Sequence, residues 1–150
     1  MRAVVQRVSS AAVTVDARTV GEIGHGLMVL IGVEKEDGPA DADYIAGKIG
    51  DLRVFEDEAH HMNRSVQDVG GAVLVVSQFT LFADTRRGRR PGFTGAAPPE
   101  LARRCYERFA AAIGDLGVTV ATGRFGAEMA VSLVNDGPFT LWLDTADREG

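Results

Sequence analysis

Two short stretches hold the residue types that chemistry would need. "SQFT" places Ser77, Gln78, Phe79 and Thr80 directly after the apolar run "GGAVLVV". Together they offer two hydroxyls, a carboxamide, an aromatic ring and a set of backbone amides. If the strand stays regular, Ser77, Phe79 and Leu81 share one face, with Gln78 and Thr80 on the other. The stretch reads either as a strand end whose hydroxyls close local hydrogen bonds or as the rim of a pocket for a planar ligand. The residues alone leave both readings open. "NDGPFT", residues 135–140, sets Gly137-Pro138 between the apolar runs "EMAVSLV" and "LWLD". Proline has no amide hydrogen to give a sheet, so the dipeptide marks a strand break or an exposed edge. An X-Pro bond is also where a cis peptide is cheap, costing roughly 0.5–1 kcal/mol against trans. A cis bond would turn neighbouring carbonyls outward as a rigid pair of acceptors; a plain hairpin turn is the alternative.

Other familiar machinery is missing. Gly21, Gly24 and Gly26 in "GEIGHG" lack G-x-G-x-x-G spacing and read as a turn. His25, His60 and His61 show no ligand spacing and read as surface residues, so no metal site is expected. No G-x-S-x-G elbow supports a serine triad. Cys105, the single cysteine, excludes an intrachain disulfide and lies on the apolar stripe of a helix, where a core thiol is expected rather than a nucleophile. The acidic runs sit among turn residues and read as solvated. One charged cluster stands apart: "TRRGRRPGF" gathers Arg86, Arg87, Arg89 and Arg90, although the whole chain has a formal net charge of -5. A local basic field of this kind suits a small phosphate-bearing footprint.

The elements that must position these residues follow from periodicity. The 150 residues, 45% hydrophobic and 25% charged, suit one domain over residues 1–150 with a substantial core. No apolar run approaches the length of a membrane span, and "MRAVVQRVSS" lacks the features of a signal peptide, so a cytoplasmic protein is expected. "RAVVQRV" and "AAVTV" read as two short strands parted by Ser9-Ser10, and "LMVLIGV" as a strand buried on both faces. Ile45, Ile49 and Leu52 recur at helical spacing after Pro39, with Gly47 and Gly50 suggesting close packing. Leu101, Cys105, Phe109 and Ile113 mark the clearest helix, ended by Gly114. "GGAVLVVSQFTLF" reads as a central strand, and "VTVATGRFG", "EMAVSLVND" and "FTLWLD" as three closing strands. The expected fold is α+β: a single domain with a mostly antiparallel, curled or barrel-like sheet and two main helices packed on it.

"SQFTLFADTRRGRRPGF" taken with "NDGPFT" resembles the D-aminoacyl-tRNA deacylases, whose motifs are SQFT and N-x-G-P-x-T. The resemblance extends to "MRAVVQRVSSAAVTV", "GHGLMVLIGV" and "ATGRFGAEMAVSLVNDGP", so it spans nearly the whole chain; Phe139 departs from the smaller aliphatic side chains familiar at that position. It implies a homodimeric carboxylic ester hydrolase, with no metal or cofactor, that frees tRNA from D-amino acids and from mischarged glycine. Ser77, Gln78, Phe79 and Thr80 would line the site for the 3'-terminal aminoacyl-adenosine. Gly137 and Pro138 would reach into the partner subunit's site to select chirality, with Arg7 supporting their loop. Catalysis would lean on the substrate's 2'-OH and on backbone amides, with Thr80 as a covalent nucleophile the second choice. The arginine cluster would meet the tRNA acceptor end. Two other classes remain to be separated by experiment: an amidohydrolase or esterase acting on small D-amino-acid derivatives, and a non-catalytic nucleic-acid-binding module.

Overall fold

The computed structural model describes residues 1–148. A long first strand, β1 (Arg2–Val15), turns through Asp16 and Ala17 into β2 (Arg18–Ile23), and β3 (Gly26–Gly32) follows. Helix α1 (Pro39–Asp51) and a small hairpin of β4 (Phe55–Glu56) and β5 (Met62–Arg64) lead to β6 (Ala72–Ser77). A 3-10 turn (Phe79–Phe82), helix α2 (Pro99–Asp115), β7 (Thr119–Thr122) and β8 (Ala130–Asp144) complete the fold.

The main sheet runs β2-β1-β3-β6-β7, with β8 paired to β1. Its pairing is mixed. β1 is antiparallel to β2, β3 and β8, but β3–β6 and β6–β7 are parallel. The reason is in the connections: α1 lies between β3 and β6, and α2 between β6 and β7, and such helical crossovers return the chain in the same direction. The sheet curls until β2 and β7 nearly meet. A Cβ on Gly21 of β2 would run into the Thr122 carbonyl of β7, so only glycine lets the barrel close this far.

Strand alternation sorts the core into two parts. Leu27, Val29 and Ile31 of β3, with Val73 and Val75 of β6, face α1 and α2, where Ile45, Ile49, Phe109 and Ile113 are fully or almost fully buried. Met28, Leu74 and Val76 point the other way and meet Val8, Val13 and Ile23 inside the curl. Gly50 abuts the Leu116 side chain, whereas a Cβ on Gly47 would meet nothing. Helix α2 runs one residue beyond Gly114, and the chain turns out at Gly117 with φ +85°.

Two of the expected breaks are irregularities within long strands. Ser9-Ser10 does not divide β1; it coincides with a shift in register against β8 between Val8 and Ser10. The residues of β1 that face the inside of the curl change parity there, from Val8 to Ala11 and Val13. Gly137-Pro138 lies within β8 rather than between two strands. Gln6 opposes Thr140 and Val8 opposes Asn135, so residues 136–139 form an outward excursion from the ladder. A sheet edge tolerates a proline that cannot donate, and β8 has a neighbour on one side only.

Candidate active site

β6 ends at Ser77, which lies opposite Ile31 of β3, and the Gln78 amide donates to the Ile31 carbonyl at 2.8 Å. The strand does not continue through "SQFTLF". It breaks at Gln78 into the 3-10 turn, so the alternation expected for Phe79 and Thr80 does not hold. The turn is closed by Leu81 N–H to the Gln78 carbonyl at 3.2 Å and Ala83 N–H to the Thr80 carbonyl at 3.0 Å. Gly32 lets this turn settle on the end of β3: a Cβ there would come within 3.0 Å of the Leu81 Cβ and 3.1 Å of the Gln78 carbonyl. Arg2 staples the turn to β8, donating from Nη1 to the Leu81 carbonyl at 2.9 Å and from Nε to Asp144 at 3.1 Å. Its guanidinium also stacks 4.4 Å from the Phe82 ring centre.

A cleft of about 590 Å³ opens beside this turn, between the end of β6 and the N-terminus of α2. Ser77, Gln78 and Phe79 line one wall; Phe93 and Phe125 are the other aromatic members, and Val131 of β8 contributes to the edge. Phe79 is 54% exposed, a large apolar ring held at the mouth, with Phe93 edge-on to it at 5.2 Å between ring centres. Thr80 follows Phe79 in the turn and is not among the lining residues; its hydroxyl oxygen accepts from the Gln78 carboxamide. The amides of Phe79 and Thr80 find no acceptor among the described residues, as befits the opening of a helical turn. An apolar cleft with a few converging polar groups is the ordinary form of a small-ligand site. The Ser77–Phe79 wall of this one leads into the turn that carries the exposed ring and, among the described residues, the two N–H donors without an acceptor.

The Gly137-Pro138 excursion is a separate, tightly tied unit. Its peptide bond is cis, and both residues are exposed. Asn135 closes the base: its Nδ2 donates to the Phe139 carbonyl at 2.9 Å and to the Arg7 carbonyl at 3.0 Å, while its Oδ1 accepts from the Phe139 amide at 2.9 Å. Arg7, almost wholly buried, donates from Nε to the Asp136 carbonyl at 3.0 Å and from Nη1 to the Val54 carbonyl at 2.6 Å. Its guanidinium lies 4.9 Å from the centre of the Phe139 ring. Phe139 itself packs on the main core, so the unfamiliar aromatic serves as a foot for the loop. Within one protomer, neither Gly137 nor Pro138 lines the cleft of Ser77–Phe79.

The arginine cluster lies on a hairpin next to the cleft. Asp84 and Gly92 exchange both backbone hydrogen bonds, at 2.7 and 2.8 Å. Arg86 folds back on Asp84 with Nε and Nη2 each 2.9 Å from a carboxylate oxygen. These bonds hold the Asp84 carboxyl down at about 2. Arg87, Arg89 and Arg90 are exposed. His25, His60 and His61 are also exposed, and His25 lies edge-on to Phe55. Cys105 is buried, and that burial pushes its thiol up. Among the described residues no three His, Cys, Asp or Glu side chains converge as metal ligands would.

Two positioning residues went unassigned in the sequence. Asn135 was visible as the first residue of the N-x-G-P-x-T motif, but its three hydrogen bonds depend on where β8 leaves its ladder. Arg2 carries no motif, and its contacts span the whole length of the chain.

A model of the D-Tyr-tRNA(Tyr) deacylase family matches residues 4–144. The chain is 61% identical over 144 residues to a D-aminoacyl-tRNA deacylase of Ruegeria pomeroyi, covering 96% of this chain and 99% of that protein. It is 57% identical over 150 residues to a D-aminoacyl-tRNA deacylase of Thermomicrobium roseum, covering 100% of this chain and 97% of that protein. Among solved structures it is similar to a c-Myc DNA Unwinding Element Binding Protein, with 40% identity, a TM-score of 0.90, and 97% and 99% of the two chains covered. A probable eukaryotic D-amino acid tRNA deacylase shares the fold at 18% identity, with a TM-score of 0.82 and coverage of 95% and 97%. Sequence similarity over nearly the full length and agreement in fold lead to one conclusion: the chain belongs to the D-Tyr-tRNA(Tyr) deacylase family.

Proposed function

We propose that this protein hydrolyses the ester between a D-amino acid, or glycine, and the 3'-terminal adenosine of tRNA. Water is consumed, and free tRNA and free amino acid are released. The observation that carries this reading is the cleft at the end of β6, where an exposed Phe79 ring stands beside two backbone amides with no acceptor, in a chain of this family. The ring offers a stacking surface for the terminal base. The amides of Phe79 and Thr80, without an acceptor among the described residues, receive the negative charge that develops on the ester oxygen during attack.

Among the described residues, no side chain of the cleft or its turn is paired with a base that would make it a nucleophile. The Thr80 hydroxyl already accepts from the Gln78 carboxamide, a group that cannot act as a base, so nothing raises its reactivity. The substrate's own 2'-OH, adjacent to the ester, takes the assisting role, and binding sets its orientation. Chirality is selected by the Gly137-Pro138 loop of a second subunit. Backbone oxygens of that loop stand where the Cβ of an L-aminoacyl group would fall. A D side chain points away and glycine has none, so one steric rule excludes L and admits the rest.

This arrangement requires a homodimer, and two observations support one. Gly137 and Pro138 are exposed and lie outside their own protomer's cleft. The edge strand β8 presents Val131, Val134 and Trp142 to solvent, at 39%, 57% and 53% exposure. An apolar strand edge of this length calls for a cover. Arg7 and Asn135 then hold the loop for use in the partner's site. The Arg86–Arg90 hairpin lies beside the cleft mouth, where it meets the phosphates of the acceptor end.

Comparing D-aminoacyl-tRNA, a free D-amino-acid ester and duplex DNA tests the reading. Turnover confined to the tRNA ester supports it. Equal turnover of the free ester would point to a small-substrate esterase instead. Duplex DNA bound more tightly than tRNA, with no hydrolysis, would point to a binding module.

A further inference from the structure

We infer that the four arginines of the Asp84–Gly92 hairpin divide into one latch and three phosphate contacts: Arg86 shapes the loop, and Arg87, Arg89 and Arg90 bind the acceptor-end phosphates. The inference rests on the tRNA substrate proposed above and separates residues that the sequence presents as a uniform cluster.

The neck of the hairpin is closed by the paired Asp84 and Gly92 backbones, and Arg86 spans it from within. The Arg86 amide donates to Asp84 Oδ1 at 3.0 Å, and its guanidinium meets both carboxylate oxygens at 2.9 Å. The Nε–H and Nη2–H fork of Arg86 is therefore turned toward one carboxylate. The pair sums to zero charge and adds little field beyond the loop. For Arg86 to engage a phosphate, Asp84 would have to be left without its partner beside a polyanion, which opposes the exchange.

Arg87, Arg89 and Arg90 are in the opposite situation. All three are exposed, and among the described residues none has a carboxylate within ion-pair distance. Gly88 sits between them with φ +63°, a left-handed turn that lets the chain reverse inside the loop without crowding the side chains around it. The hairpin also has a fixed address. Phe93 follows the neck directly, and its ring is edge-on to Phe79, so both aromatics line the cleft mouth. A nucleic-acid strand whose last base lies against Phe79 has the hairpin beside it where Phe93 meets that ring.

Counterion release reads this division directly. Each phosphate contact contributes a slope of about 0.7–0.9 to the plot of log affinity against log salt. Binding of uncharged tRNA would be measured across a salt series for wild type, Arg86→Gln, and the triple variant Arg87→Gln/Arg89→Gln/Arg90→Gln. The triple variant should flatten the slope by about 2 to 3, whereas Arg86→Gln should leave it within about 0.3 of wild type. All four side chains are exposed, so thermal unfolding should be unchanged and serves as the control. An unchanged slope in the triple variant would overturn the inference, as would a flattening of about 0.7 or more in Arg86→Gln. Hydrolysis of D-aminoacyl-tRNA by wild type is measured alongside. If hydrolysis is absent but the slopes sort as stated, the division of the arginines stands and the enzymatic reading falls. If hydrolysis occurs and the slopes do not sort, only the division falls.

Discussion

Asn135→Ala should loosen the Gly137-Pro138 loop and cost the folded state about 2 kcal/mol. The side chain makes three hydrogen bonds, to the Arg7 carbonyl, the Phe139 carbonyl and the Phe139 amide, each between 2.9 and 3.0 Å. At about 1 kcal/mol net apiece, their loss would come to about 3 kcal/mol if the abandoned groups stayed dry. They are only partly buried, so water recovers some of that and about 2 kcal/mol remains. Asn135→Asp separates the roles of the two ends of the amide. A carboxylate keeps the acceptor for Phe139 N–H but faces two carbonyl oxygens with no proton to donate, and Arg7 is already bonded to the Asp136 carbonyl. It should therefore be less stable than Asn135→Ala at neutral pH, despite its closer shape. Urea unfolding followed by the fluorescence of Trp142, the single tryptophan, provides the measurement. Asn135→Ala within about 0.5 kcal/mol of wild type, or Asn135→Asp as stable as wild type, would refute the hydrogen-bond reasoning.

Three further outcomes follow from the geometry. Gly26→Ala would drive a Cβ into the Ala72 backbone at the start of the parallel β3–β6 pair and should cost about 1–3 kcal/mol, while Gly24→Ala, whose Cβ meets nothing, should differ from wild type by under about 0.5 kcal/mol in urea unfolding. Thr80→Ala keeps the amide at residue 80 and should slow single-turnover deacylation only modestly, whereas a 2'-deoxy terminal adenosine should slow it severely with binding retained; a dead Thr80→Ala and a trapped acyl-threonine would reverse the assignment. The Asp84 carboxyl, lowered from 3.8 to about 2 first by its side-chain bonds to Arg86, gives a pairing that is complete above pH 4 and lost as pH falls through 2, so NMR titration of Asp84 should centre near 2 and a midpoint near 4 would contradict the latch.

Much of the site was legible because its parts are local. A glycine and a proline between two apolar runs announced an irregular edge, and "GGAVLVV" announced a buried strand. Both helices were visible in their periodicity. What escaped was decided by tertiary contacts. Parallel pairing of β3, β6 and β7 depends on α1 and α2 each carrying the chain back to the start of a neighbouring strand, and no single window of sequence carries that. Ser9-Ser10 looked like a gap between strands because short polar residues also mark turns; the long partner β8 bridges it and turns it into a bulge. "SQFTLF" looked like continued strand because its apolar residues suit one, yet Gly32 opens the space into which a 3-10 turn settles instead. The equal appearance of four arginines hid the Asp84 carboxylate that pairs with Arg86.

Single-turnover hydrolysis of one tRNA charged in turn with the D and the L form of the same amino acid tests the central claim most directly. The account predicts release of the D-amino acid at a rate that rises with enzyme concentration to a plateau. The L ester should decay no faster than it does in buffer alone. Equal hydrolysis of the two forms, or loss of the L form first, would contradict it.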